Sequence, residues 1–218
     1  MLWVFDINET MLDLSPLDAV FERHTGRAEH RTEWFELLIR SALVTTAAGR
    51  YQDFGQLGAA CAKAVAAAHG AEFTDEAIAE VGATMRRLPP HPDVPDALTA
   101  LRARGHRLVA LGNSPPAVIE AQLTGAGLAP AFDGWYSAEQ TGSLKPGPAA
   151  YRHVLRTEQV EPAQAVMVAA HDWDIAGAQA VGMRAVFVAR GGRRPIPGWP
   201  EPDVVAPDLA EATAEDLA

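Results

Sequence analysis

The stretch Leu2-Trp3-Val4-Phe5-Asp6-Ile7-Asn8-Glu9-Thr10 decides the fold of this chain. Its apolar run reads as a strand buried on both faces, as in a parallel sheet, and it ends in a carboxylate with small polar residues at Asn8 and Thr10. Ligands of open α/β sheets bind beyond the carboxyl ends of the strands, so Asp6 stands where chemistry is done. An aspartate there also suits a helix cap or a solvated turn, and the rest of the chain decides between the two.

Outward from that strand, Ser15-Pro16 offers an N-cap and a first-turn proline, and only helical patterns follow as far as Leu88. They run from Leu17 to Thr25, Arg31 to Ala47, Phe54 to Ala68, and Thr74 to Arg87, separated by glycine stops. This is a compact helical insert. Pro89-Pro90-His91-Pro92 cannot continue a helix and marks the return to the main domain. From there strands alternate with helices. The strands are Arg107 to Leu111, Gly134 to Ser137, Ala165 to Ala169 and Ala185 to Ala189, and a Gly/Pro-rich tail from Gly191 to Pro202 follows the last. The expected fold is α/β, a Rossmann-like doubly wound parallel sheet formed by residues 1–14 and 89–218, with a four-helix cap at 15–88.

The composition excludes several function classes. The 218 residues carry a formal net charge of −10 and no Lys/Arg run, which argues against nucleic acid as a partner. No segment approaches the ~18 apolar residues of a membrane span, and no basic leader precedes the first strand, so a soluble cytoplasmic protein is expected. Cys61 is the only cysteine, which rules out an intrachain disulfide, and its Ala-rich surroundings read as helix packing.

Polar residues collect at the strand ends: Asp6, Asn113 in Leu111-Gly112-Asn113-Ser114, Lys145 in Lys145-Pro146, and Asp174 in Trp173-Asp174 ahead of Gly177-Ala178. Four such motifs in this order, with a helical insert after the first strand, resemble the haloacid dehalogenase superfamily across essentially the whole chain. Within it the choice lies between phosphatase and dehalogenase. A phosphatase must protonate an alkoxide and offset charge with Mg²⁺, and it resembles Asp-x-Asp at the first motif. Here that acid position is Asn8. A further metal ligand of the fourth motif is replaced by Ala170 in Ala169-Ala170-His171-Asp172-Trp173-Asp174, leaving Asp172 as the carboxylate able to substitute from a shifted register. Halide departure needs neither a proton nor a metal, so no cofactor is expected.

The Trp173-Asp174 pair, with Tyr151 following Lys145, looks like the L-2-haloacid dehalogenase branch. That resemblance implies Asp6 as nucleophile and Lys145 as the cation that keeps it ionised, a neighbouring charge lowering a carboxylate pKa by roughly 1–3 units. It implies Asp174 as the residue that orients Lys145 or a hydrolytic water, and Thr10 as the hydrogen-bond partner of the nucleophile's loop. Substrate contacts fall to Asn8, Asn113, Ser114, Tyr151, His171 and Trp173. Trp34 and Phe35 are further candidates for pocket walls. A small anionic substrate needs a cationic partner on the cap, for which Arg31 is the first candidate and Arg40 the second. The branch also implies a homodimer. Gly112, Ala169 and His171 depart from its usual Ser/Thr, Ser and Asn, with Ser114 and His171 as candidates to compensate. The expected reaction is hydrolytic dehalogenation of a small (S)-2-haloalkanoic acid through an Asp6 ester. The alternatives are a Mg²⁺-dependent phosphatase and a catalytically silent binding protein on the same scaffold.

Overall fold

The computed structural model describes residues 1–213. The opening run forms β1 (Leu2–Phe5), buried throughout its length. Four helices follow it directly: α1 (Pro16–Thr25), α2 (His30–Ala47), α3 (Phe54–Ala68) and α4 (Asp75–Met85). Their starts are set locally. Asp53 accepts from Gln56 N–H to open α3, and Thr74 accepts from Ala77 N–H to open α4. Pro16 opens α1 as expected, but Ser15 does not cap it. Its hydroxyl donates instead to Asp13 Oδ2 at 2.6 Å. Phe21 of α1 packs against both Trp34 and Phe73, with ring centroids 5.2 Å apart in each pair, and this aromatic stack joins the helices of the cap.

The two cap linkers run side by side. Asp13 N–H donates to Pro89 O and His91 N–H to Met11 O, both at 2.9 Å. Beyond them come α5 (Val94–Ala103), β2 (Arg107–Gly112), α6 (Pro116–Gly125), β3 (Gly134–Ser137), α7 (Pro148–Glu158), β4 (Ala165–Ala169), α8 (Asp172–Gln179) and β5 (Arg184–Val188). All strand pairs are parallel, in the order β3-β2-β1-β4-β5, with a further strand, β6 (Val204–Ala206), beside β5. The chain therefore steps outward from β1 through β2 and β3, then crosses to the opposite side of β1 for β4. That reversal is the topological switch point at which such sheets open a crevice, and β1 lies beside it with Asp6 at its end.

One element differs from the sequence reading. The strand series does not close at Ala189: β6 (Val204–Ala206) extends the sheet, followed by the short helix α9 (Leu209–Ala212). A three-residue edge strand is too short to show a periodicity. Asp203 pins it, donating its N–H to Ala185 O at 2.8 Å and accepting Ala185 N–H on Oδ2 at 2.7 Å. Among the described residues no helix is long and apolar enough to cross a membrane.

Candidate active site

At the switch point, segments far apart in sequence converge on one buried lysine. Lys145, on the turn after β3, directs its three ammonium protons to Asp6 Oδ1 (2.7 Å), Asp174 Oδ2 (2.7 Å) and Leu111 O (2.9 Å). It is 1% exposed. Burial alone would drive its proton off, but Asp174 and Asp6 outweigh this and hold its pKa above the ordinary lysine value. For Asp6 burial likewise disfavours charge, and the reverse pull of Lys145 and His171 keeps its carboxyl well below the usual carboxylate range. Asp174, pushed up by its own burial, accepts from Lys145 and from the Tyr151 hydroxyl at 2.5 Å. Burial and the Asp174 charge push the Tyr151 phenol well above its ordinary value, so it stays a donor. Gly177 makes this contact possible, since a Cβ there would stand 2.6 Å from the Tyr151 hydroxyl oxygen.

The other oxygen of Asp6 faces two different donors. Thr10 Oγ1 donates to Asp6 Oδ2 at 2.6 Å while accepting Ala170 N–H at 2.9 Å, and His171 Nδ1 lies 3.3 Å from the same oxygen. His171 Nε2 meets Glu9 Oε2 at 3.1 Å. Burial opposes charging this imidazole, but hydrogen bonds to Asp6 and Glu9 raise its pKa to about 9, so both ring nitrogens carry protons at neutral pH. Glu9 itself is held at about 2: burial works against its ionised form, and His171 and Arg193 overcome it. It sits at φ 60°, a left-handed conformation uncommon for a glutamate, which turns its carboxylate towards His171, Arg31 and Arg193.

Two amides complete the pocket. Lys145 N–H donates to Asn113 Oδ1 at 2.7 Å, which fixes the flip of that side chain and leaves its NH₂ as the donor it offers. Gln122 Nε2 donates to Met85 O at 3.1 Å and to Asn8 Oδ1 at 2.9 Å, so Asn8 also presents its NH₂. The space over Asp6 is small, about 20 Å³, walled by Phe35, Ile39, Phe54 and Trp173 together with Ser114, Lys145 and His171. On one side, past His171 and Trp173, lies an open cleft of about 390 Å³ bearing Arg40 and Arg193. On the other, past Phe54 and Ser114, lies an apolar cavity of about 310 Å³ under the cap.

Asp6, Asn8, Asn113, Ser114, Lys145, His171 and Trp173 thus line one pocket, with Thr10 and Asp174 directly behind it. Two expected substrate contacts do not reach it. Tyr151 is fully buried beneath the cluster, and its hydroxyl is given to Asp174. Arg31 is held by carboxylates outside the pocket, its Nε on Asp18 Oδ1 at 2.8 Å and its NH1 on Glu9 Oε1 at 3.3 Å. The cations that face Asp6 are Lys145 and His171. Asp174, 0% exposed, is closed to a hydrolytic water, which leaves the orientation of Lys145 as its geometric part. Trp34 lines the apolar cavity rather than the pocket. The sequence reading missed Glu9, Gln122 and Arg193. Glu9 lies inside the quoted opening stretch, and its signal was a charged residue in a turn of otherwise small polar ones.

The donors around Asp6 do not suit Mg²⁺. The protonated His171 fills the flank of the nucleophile where a cation would be needed. Asp174 is taken up by Lys145 and Tyr151, and the Asp172 carboxylate turns outward to accept Ile196 N–H at 3.0 Å. The shifted-register ligand is therefore not available to a metal at Asp6.

The chain as a whole resembles known hydrolases. The family model for haloacid dehalogenase-like hydrolases matches residues 2–182. An (S)-2-haloacid dehalogenase of Xanthobacter autotrophicus is 29% identical over 189 residues, covering 86% of this chain and 74% of that protein. A phosphoglycolate phosphatase of Rhodospirillum rubrum is 31% identical over 194 residues, covering 87% and 74%. The solved L-2-haloacid dehalogenase from Xanthobacter autotrophicus superposes with a TM-score of 0.90 at 25% identity, over 98% of this chain and 96% of that one.

Proposed function

This chain belongs to the haloacid dehalogenase-like hydrolases, and from that premise we propose that it hydrolyses the carbon–halogen bond of an (S)-2-haloalkanoic acid without a metal, through an ester on Asp6. One observation carries the choice of chemistry: Asp6 lies 2.7 Å from Lys145 Nζ and 3.3 Å from His171 Nδ1, and among the described residues no second carboxylate beside it is free to bind a metal. That environment suits a carboxylate that must stay ionised and attack a neutral carbon. It does not suit a carboxylate attacking a phosphate dianion through Mg²⁺.

The two oxygens of Asp6 divide the work. Oδ1 accepts only the Lys145 ammonium, so it retains a lone pair for attack on Cα while the halide leaves. The NH₂ groups of Asn8 and Asn113 are the donors available to the departing halide or to the substrate carboxylate. Oδ2 then becomes the carbonyl oxygen of the ester, and the Thr10 hydroxyl and the His171 Nδ1–H already point at it. When water attacks Cγ, negative charge develops on that oxygen, and these two groups form its oxyanion hole. Collapse releases the 2-hydroxy acid with the former Oδ1 and one water proton, while the second proton passes to solvent.

The test is halide release from both enantiomers of 2-chloropropionate in EDTA, with Asp6→Asn as control and a phosphate ester plus Mg²⁺ in parallel. Release from one enantiomer, unaffected by EDTA and absent in the variant, is the expected result. Mg²⁺-dependent phosphate release without halide would overturn the reading and favour the activity named for the Rhodospirillum relative.

A further inference from the structure

We infer that the natural substrate bears a hydrocarbon substituent of several carbons on the halogen-bearing carbon, seated in the apolar cavity between the cap and the turn after β2. The inference rests on the dehalogenase reading and specifies its substrate class. The space over Asp6 is about 20 Å³, on the scale of one water molecule, so the head of a bound acid already fills it. A substituent larger than a methyl group must therefore leave it in one of two directions. Towards Arg40 and Arg193 the cleft is open to solvent and sets Glu9, Glu36, Arg40, Asp172 and Arg193 among its apolar side chains. Towards Phe54 and Ser114 it meets about 310 Å³ of space walled by Trp34, Leu38, Val81 and Met85, within the size range of small-molecule sites.

That cavity exists because of particular small residues. Gly58, Ala59 and Ala62 present one side of α3 to it, where larger side chains would fill it. At Gly58 a Cβ would meet Leu38 and Trp34 only at 3.7 Å, so crowding does not require glycine there. Its charged lining residues are the exposed Arg86 and the half-buried Asp53, whose carboxylate already caps α3. Phe54, the first residue of α3, lines both spaces, as does Ser114. The polar head of the acid thus stays with Lys145, His171 and the two amides, and the tail passes Phe54.

Two readouts on the wild-type enzyme separate this inference from the reaction it rests on. The first is equilibrium binding of unhalogenated propionate, hexanoate and octanoate, which needs no turnover. The second is kcat/KM for halide release from (S)-2-bromopropionate, -hexanoate and -octanoate. Affinity should rise about fourfold per methylene along the alkanoates, as expected for burial of each CH₂. Ala59→Phe, at a half-exposed position lining the cavity, should flatten that slope and leave propionate unchanged. Met85→Trp fills the cavity from α4 and should do the same if the first variant fails to fold. Chain-length-independent binding in the wild type, or equal losses for short and long acids in both variants, would overturn the inference. A rising binding slope with no halide from any bromoacid would uphold the cavity's ligand class and refute the dehalogenation.

Discussion

The two spaces that meet at Phe54 and Ser114 are built on opposite principles. Over Asp6 the charged groups are committed and two amide NH₂ groups are left to offer: Lys145 directs all three protons to fixed acceptors, and His171 is held between two carboxylates. Under the cap the space is shaped by what is missing, the side chains absent at Gly58 and shortened at Ala59 and Ala62. The first region sets what reaction is possible and tolerates almost no change. The second sets which molecule is admitted and should tolerate a good deal.

The sharpest way to break that contrast is Lys145→Met. It strands Asp6 and Asp174 as buried carboxylates beside each other, and removing one partner of a buried ion pair costs about 3–5 kcal/mol. Activity should fall below detection and the thermal midpoint should drop steeply. An active, stable variant would mean that the cluster is not the organising centre. His171→Ala comes next. Loss of one oxyanion donor typically costs about 10²–10³ in kcat, and the ester on Asp6 should accumulate enough to be seen by mass spectrometry. Its preference between short and long acids should not move, because the cavity is untouched.

Gly177→Ala probes the support behind the cluster. The new methyl would collide with Tyr151, which must then release Asp174; overpacking of this kind costs about 1–3 kcal/mol. Stability and kcat should fall together, while KM should hold.

Glu9→Gln has the smallest expected effect at neutral pH and the clearest signature elsewhere. In the native protein His171 is raised from 6.5 to about 9, so its contribution to stability is complete below pH 6.5 and fades as pH rises to 9. Glu9 is depressed from 4.5 to about 2, so its contribution is complete above pH 4.5 and fades as pH falls to 2. The wild-type thermal midpoint should therefore be highest between these limits, and activity should decline above pH 9 as the imidazolium is lost. Glu9→Gln should move that alkaline limb to lower pH. An unmoved limb would show that some other group sets it.

The contrast also explains what could be read in the sequence. Strand ends carry position directly: a buried run ending in a polar residue places Asp6 and Asn113 on one sheet edge, and the segments that follow β3 and β4 bring Lys145 and Asp174 to the same edge. The pairing of side chains within that edge was not legible. Tyr151 sits on a helix at a spacing that suits either a pocket or a foundation, and only the fit of Gly177 against it distinguishes them. Arg31 illustrates the same difficulty in the cap. Nothing local shows that Glu9 and Asp18 will claim its guanidinium, because that depends on how α2 lies against the turn after β1. A cavity is harder still, since it arises from the packing of α2, α3 and α4 against residues Ser114, Pro115 and Val118. The edge strand β6 was missed because three residues cannot display a period.

The central claim is that Asp6 becomes an ester and is restored by water attacking its own carboxyl carbon. A single turnover in H₂¹⁸O, with enzyme in excess over (S)-2-chloropropionate, tests it most directly. The account predicts unlabelled lactate and one ¹⁸O atom in the peptide that contains Asp6. Labelled lactate with an unlabelled Asp6 peptide would mean that water attacks the substrate directly, and would contradict it.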